Sequence, residues 1–140
     1  MKKLFLSILA VAGIATMNAQ IANVESVTPL LKGVESDMHH PVLSVDGSRL
    51  LFSSCNYTGL RMYDFNDNVV TKVSNEDRAG FDATFSPDGS EIYFVTQTRD
   101  GVRNLRQVKK YDIASRQITE MTQQGRVVGR PVATAKGFAT

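Results

Sequence analysis

A twelve-residue stretch occurs twice in this chain, 42 residues apart, and that recurrence limits what the chain can fold into. Pro41-Val42-Leu43-Ser44-Val45-Asp46-Gly47-Ser48-Arg49-Leu50-Leu51-Phe52 lines up with Ala83-Thr84-Phe85-Ser86-Pro87-Asp88-Gly89-Ser90-Glu91-Ile92-Tyr93-Phe94. Ser, Asp, Gly, Ser and Phe coincide, and the apolar positions keep their class. Gly59 falls on Gly101 at the same offset. After six inserted residues in the second copy, Tyr63-Asp64-Phe65 matches Tyr111-Asp112-Ile113 and Val70-Thr71-Lys72-Val73 matches Ile118-Thr119-Glu120-Met121. Val27-Thr28-Pro29-Leu30 repeats this last piece upstream. Matches in one order with one gap mark a true repeat, and a period of 40-odd residues decides the architecture before any single motif does.

Each unit reads as four short strands. The first covers residues 41 to 45, or 83 to 86 in the second copy; the next covers 49 to 54, or 91 to 96. The third centres on Tyr63 and Tyr111, and the fourth on Val70 and Ile118. Strand side chains alternate, so Leu50 and Phe52 share one face, as do Ile92 and Phe94. In Ser86-Pro87-Asp88-Gly89 the proline presets one turn angle, the aspartate bonds back to the chain and the glycine accepts a left-handed backbone. Asp67-Asn68 and Ser115-Arg116 are turn candidates between strands three and four. No amphipathic helix follows residue 20. The fold class is all-β.

Four strands in 40-odd residues is the arithmetic of a β-propeller blade. Phe85-Ser86-Pro87-Asp88-Gly89-Ser90-Glu91-Ile92-Tyr93-Phe94 resembles the signature of the PD40, or TolB-like (WD40-like), propeller repeat, and residues 43 to 52 are a weaker copy with Val45 in place of the proline. The resemblance implies two complete four-stranded blades, at 41–74 and 83–122. A strand of a preceding blade falls at 24–31, and Arg130-Pro131-Val132-Ala133 opens the next blade, at 130–140. Propellers of this kind have about six blades, so residues 20–140 are expected to form part of a ring belonging to a longer chain.

The first nineteen residues carry a different signal. Lys2 and Lys3 precede twelve uncharged, mostly apolar residues, and Ala19 offers a small residue before a cut at Gln20. These are the parts of a secretory signal peptide at 1–19, and the run is shorter than the roughly 20 residues that span a bilayer. Export to the periplasm or outside the cell is the expectation, without stable membrane insertion. Removing Lys2 and Lys3 turns a net charge of +2 into fourteen basic against fourteen acidic residues, which gives no electrostatic case for nucleic acid.

No catalytic, cofactor-binding or metal-binding residue is assigned. His39 and His40 are neighbours, and on an extended chain they point to opposite faces and cannot together chelate one ion in the simplest geometry. One of them joining distant ligands is the alternative to plain loop residues at a strand start. Asp64-Phe65-Asn66-Asp67-Asn68 alternates oxygen ligands like a calcium loop, but the loop's glycine is missing and Asn75 stands where a glutamate is needed; a hairpin turn explains it. No Gly-x-Ser-x-Gly occurs, and Ser44 and Ser86 belong to the turn motif. Cys55 is either a small buried residue or an exposed thiol, and a single cysteine builds neither a disulfide nor a zinc site. Asn56-Tyr57-Thr58 fits the glycosylation pattern. Arg99, Arg103, Arg106, Lys109 and Lys110 span the insertion and read as a solvated, lengthened hairpin.

Two functions follow as expectations. TolB-like propellers imply a non-enzymatic, exported module that binds a protein or cell-envelope partner through loops or a central channel. The alternative is part of the propeller of a prolyl-oligopeptidase-class serine peptidase, whose hydrolase domain is not in these residues. Fold alone does not choose between them.

Overall fold

The computed structural model describes residues 38–140. The signal peptide expected at 1–19 and the strand expected at 24–31 lie outside the described residues.

Ten strands are present among the described residues: β1 (His39–Leu43), β2 (Arg49–Ser53), β3 (Leu60–Asp64), β4 (Val69–Ser74), β5 (Thr84–Phe85), β6 (Glu91–Asp100), β7 (Arg103–Asp112), β8 (Ile118–Glu120), β9 (Val132–Thr134) and β10 (Gly137–Ala139). They form two four-stranded antiparallel meanders, β1-β2-β3-β4 and β5-β6-β7-β8, and a hairpin of β9 and β10. Register repeats with sequence: Leu43 pairs Leu50 as Phe85 pairs Ile92, and Tyr63 pairs Val70 as Tyr111 pairs Ile118. The six inserted residues lengthen the second hairpin of the second sheet, so that β6 and β7 run ten residues each.

The turn motif folds the same way twice. Ser44 Oγ donates to Asp46 Oδ1 at 2.6 Å, Ser48 Oγ to Asp46 Oδ2 at 2.7 Å, and Arg49 N to Ser44 Oγ at 2.9 Å. Ser86, Asp88, Ser90 and Glu91 make the same bonds at 2.6, 2.9 and 2.9 Å. These hydroxyl and amide donors hold both aspartate carboxyls down at about 2. Gly47 and Gly89 take φ values of +72° and +71°, which an L side chain adopts only with strain. The turn therefore needs serine, aspartate and glycine, and tolerates Val45 where Pro87 stands.

The same turn shifts one strand boundary. Ser44 bonds into the turn through its amide and its hydroxyl, so β1 stops at Leu43 and not at residue 45. It also begins earlier, at His39, where the ladder is irregular between His39 and Val42 and His40 has a φ of 50°. A bulge at this point re-aims a side chain.

The sheets stack face to face. Leu51, Leu60, Met62 and Val73 of the first sheet pack with Phe85, Ile92, Phe94 and Tyr111 of the second. Full burial of such side chains stabilises by about 1.5–3 kcal/mol each. Phe52 and Phe94 are both buried at equivalent positions, and by strand alternation Phe52 projects from the face opposite Leu51. The second sheet offers Tyr93, the repeat partner of Leu51, to the third unit, where its ring lies 5.3 Å from that of Phe138. Arg49 binds Asp64 at 3.0 Å and donates to Gly89 O at 3.2 Å, joining the two sheets at their turns.

Candidate functional site

Antiparallel order fixes which loops share an end. The Ser-x-Asp-Gly turns and the β3–β4 and β7–β8 turns lie at one end. The starts of β1, β5 and β9 and the β2–β3 and β6–β7 connections lie at the other. At this second end His40 is the second residue of β1, and Asp82 and Arg130 each stand two residues before β5 and β9. The three occupy one repeat position, with an offset of 42 residues between the first two and 48 between the last two.

Around them sits a cluster of rings and guanidinium groups. The His40 ring lies 4.4 Å from Tyr57, and Tyr57 meets Phe81 edge-on at 5.1 Å. Arg78 Cζ stands 6.0 Å from the Tyr57 ring and 5.5 Å from the Phe81 ring, within cation–π range. Arg130 Nε approaches Asp82 Oδ1 at 3.7 Å. Arg106 Nε donates to Gln97 Oε1 at 3.4 Å, and its backbone pairs with Gly125. Arg78, Phe81, Asp82, Val95, Arg106 and Arg130 bound a small cavity of about 30 Å³.

The backbone here is strained. His40, Tyr57, Arg78 and Asp82 all have positive φ, between 50° and 65°. Such conformations cost about 1–3 kcal/mol each outside glycine, persist only when their surroundings impose them, and gather at functional sites. The loop that carries Arg78 and Phe81 is pinned from both sides. Gly80 N donates to Tyr57 O at 3.1 Å and Gln97 N to Asp77 O at 3.0 Å. Lys109 Nζ reaches Glu76 Oε1 at 2.6 Å.

The residues weighed in the sequence fall in different places. The His39–His40 argument assumed regular extended backbone; the bulge breaks that regularity, and His40 serves as a ring partner of Tyr57. Asp64 accepts from the Asn66 amide and pairs with Arg49, as a hairpin residue does, and its carboxyl is lowered. Ser44 and Ser86 are buried in their turns, and Cys55 is an exposed free thiol. The basic group of the insertion divides. Arg99 and Arg103 stay on the exposed hairpin, Arg106 lines the cavity, and Lys109 and Lys110 bind Glu76 and Glu91 in the body of the sheet. Reading all five as one solvated hairpin was wrong for the last three, because β7 continues into the sheet to Asp112. Arg78, Phe81 and Arg130 were missed. The signal that could have found Arg130 was the repeat itself, carried one residue upstream of the aligned Pro41 and Ala83.

The chain is similar to solved structures that include the following two. TolB from Acinetobacter baumannii superposes with a TM-score of 0.57 at 18% identity, over 74% of this chain and 26% of that one. The fold is that of a β-propeller. The tricorn protease gives a TM-score of 0.56 at 15% identity, over 63% of this chain and 9% of that one. The chain thus spans about a quarter of the TolB chain and less than a tenth of the protease. No family model and no curated protein matches it. The two meanders are propeller blades, and the β9–β10 hairpin stacks on the second blade through Tyr93 and Phe138. His40, Asp82 and Arg130 stand at the end of the blades opposite the Ser-x-Asp-Gly turns.

Proposed function

We propose that this chain is part of an exported, non-enzymatic propeller that binds a protein or cell-envelope partner at the channel mouth defined by His40, Tyr57, Arg78, Phe81 and Arg130. One observation carries the reading: aromatic rings and guanidinium groups, the side chains that dominate binding hot spots, meet at the only end where the described backbone is strained at four neighbouring positions. The other end is occupied by turns whose serine and aspartate side chains bond one another. Export rests on the pattern of residues 1–19.

A photo-crosslinking residue placed at position 40 tests it. Adducts of defined mass are expected from position 40 in cell envelopes, reduced at least fivefold by Arg78→Gln, and absent when the crosslinker stands at Arg116 beside the opposite turn. Equal adducts from both positions, or none from 40, would overturn the reading.

The likeness to the tricorn protease supports a second reading, the propeller portion of a serine peptidase. The coding sequence beyond residue 140 separates the two. A Gly-x-Ser-x-Gly segment followed by Asp and His favours the peptidase, and further Ser-x-Asp-Gly turns without it favour the binding module.

A further inference from the structure

The composition of the cavity narrows what can enter it. Three guanidinium groups surround it with one carboxylate, Asp82, so two positive charges are left over. Arg130 is loosely held at 3.7 Å with its side chain 68% exposed. Arg106 makes one long hydrogen bond, and Arg78 is positioned by ring faces. Each guanidinium carries five N–H donors in a planar fork, so these few contacts leave most of them directed at solvent or at an incoming acceptor.

We propose that the cavity receives a single carboxylate presented by a protein partner, either an Asp or Glu side chain or a C-terminal carboxylate. This rests on the partner-binding reading above and gives it a chemistry. Charge favours it, because arginine forks bind carboxylates through paired, charge-assisted hydrogen bonds. Size favours it as well. A volume of about 30 Å³ is far below the roughly 300–1,000 Å³ of sites that enclose a whole small molecule. Only the tip of a side chain or the end of a chain fits. The walls supply the last argument: Phe81, Val95 and Val128 are apolar, which suits the carbon stem that bears a carboxylate and does not suit a phosphate hydrated on all sides.

Asp82 tunes the site. It already places one carboxylate against Arg130 and stands in like-charge opposition to a second one. Removing its charge while keeping its shape therefore tightens carboxylate binding, whereas a purely structural role for Asp82 predicts no gain. Asparagine tolerates the positive φ at this position.

The test titrates the full chain with N-acetyl-glutamic acid α-amide and with N-acetyl-alanine, following the arginine Nε–Hε NMR signals at constant ionic strength. Inorganic phosphate and N-acetyl-alanine amide serve as controls. Saturable shifts are expected at Arg78, Arg106 and Arg130, with Arg49 and Arg116 unmoved. Whichever acid binds more tightly identifies the side chain or the chain terminus as the source. Arg130→Gln is expected to weaken binding at least fivefold and Asp82→Asn to strengthen it at least threefold. Linear shifts at every arginine, tighter binding of phosphate, or no gain from Asp82→Asn would overturn the proposal. Saturable binding without position-40 adducts leaves the carboxylate site standing and removes the partner reading. Adducts without saturable carboxylate binding do the reverse.

Discussion

Replacing Gly80 by alanine adds one methyl group at the seam between the first blade and the loop that carries Arg78 and Phe81. A Cβ built there falls well inside contact distance of Ser53 Cβ, 2.5 Å from Ser53 Oγ and 3.0 Å from Gly59 O, where real Cβ atoms essentially never come closer than 3.0 Å. Neither obstacle is a flexible tip. Ser53 is 1% exposed as the last residue of β2, and Gly59 O is backbone. Overpacking of this kind costs about 1–3 kcal/mol. The upper part of that range is expected, because moving Gly80 away would also strain its 3.1 Å hydrogen bond to Tyr57 O, worth about 1 kcal/mol. Ser53 supplies an internal control. Ser53→Gly removes both clashing atoms, whereas Ser53→Ala removes the hydroxyl and leaves the Cβ. Gly80→Ala with Ser53→Gly should therefore be more stable than the sum of the single changes by about 1–3 kcal/mol, and Gly80→Ala with Ser53→Ala should be close to additive. Urea unfolding followed by far-UV circular dichroism and tyrosine emission reads both, since the chain has four tyrosines and no tryptophan. A Gly80→Ala cost below about 0.5 kcal/mol, the ordinary surface range, or equal rescue by Ser53→Gly and Ser53→Ala, would refute the packing argument.

Phe94→Ala should destabilise by about 3–5 kcal/mol, because the ring is fully buried between the blades, while Val102→Ser at the exposed hairpin tip should stay within about 0.5 kcal/mol; a similar urea midpoint for the two would disprove a shared inter-blade core. Asp46 and Asp88 titrate near 2 in the fold, below the ordinary carboxylate value of 3.8. Their contribution to stability is thus present above about pH 4 and lost as the pH falls toward 2. Asp46→Asn with Asp88→Asn should flatten the stability profile in that window without abolishing it, since Asp64, Glu91 and Asp112 are also lowered; an unchanged slope would contradict the assigned turn bonds. Protein recovered after export should begin near Gln20, and N-terminal sequencing that returns Met1 would remove the signal-peptide reading.

The blades were legible because a few side chains determine each turn locally. Ser44, Asp46 and Gly47 meet the needs of one loop within six residues, and the same chemistry returns at Ser86, Asp88 and Gly89. Alternation then assigned strand faces, and the offset of 42 tied Phe52 to Phe94. The edges of β1 were less legible, because the hydroxyl that makes Ser44 a good turn residue also takes it out of the strand. The arginine cluster was hidden for another reason. Arg78, Arg106 and Arg130 come from a loop, a strand and a strand approach separated by 24 to 28 residues, and no motif spacing joins them. Arg106 looked like one of five cations on an exposed arm, and only the length of β7 reveals that three of them belong to the sheet body.

The lengthened β6–β7 hairpin also restricts the direction of approach. Beyond Gln97 it leaves the body, and residues 98–100 raise a ridge of about three strand residues, roughly 10 Å tall at 3.3 Å per residue. The ridge stands at the end of the molecule that holds the cavity, and Arg106 lies at its foot. A broad, flat surface descending on that end meets the tip, with Val102 and Arg103, before it meets any arginine of the cavity. A narrow protrusion or an extended segment can slide along the flank to the bottom. Under the partner-binding proposal the hairpin is a gauge, admitting visitors by their width before chemistry has a say.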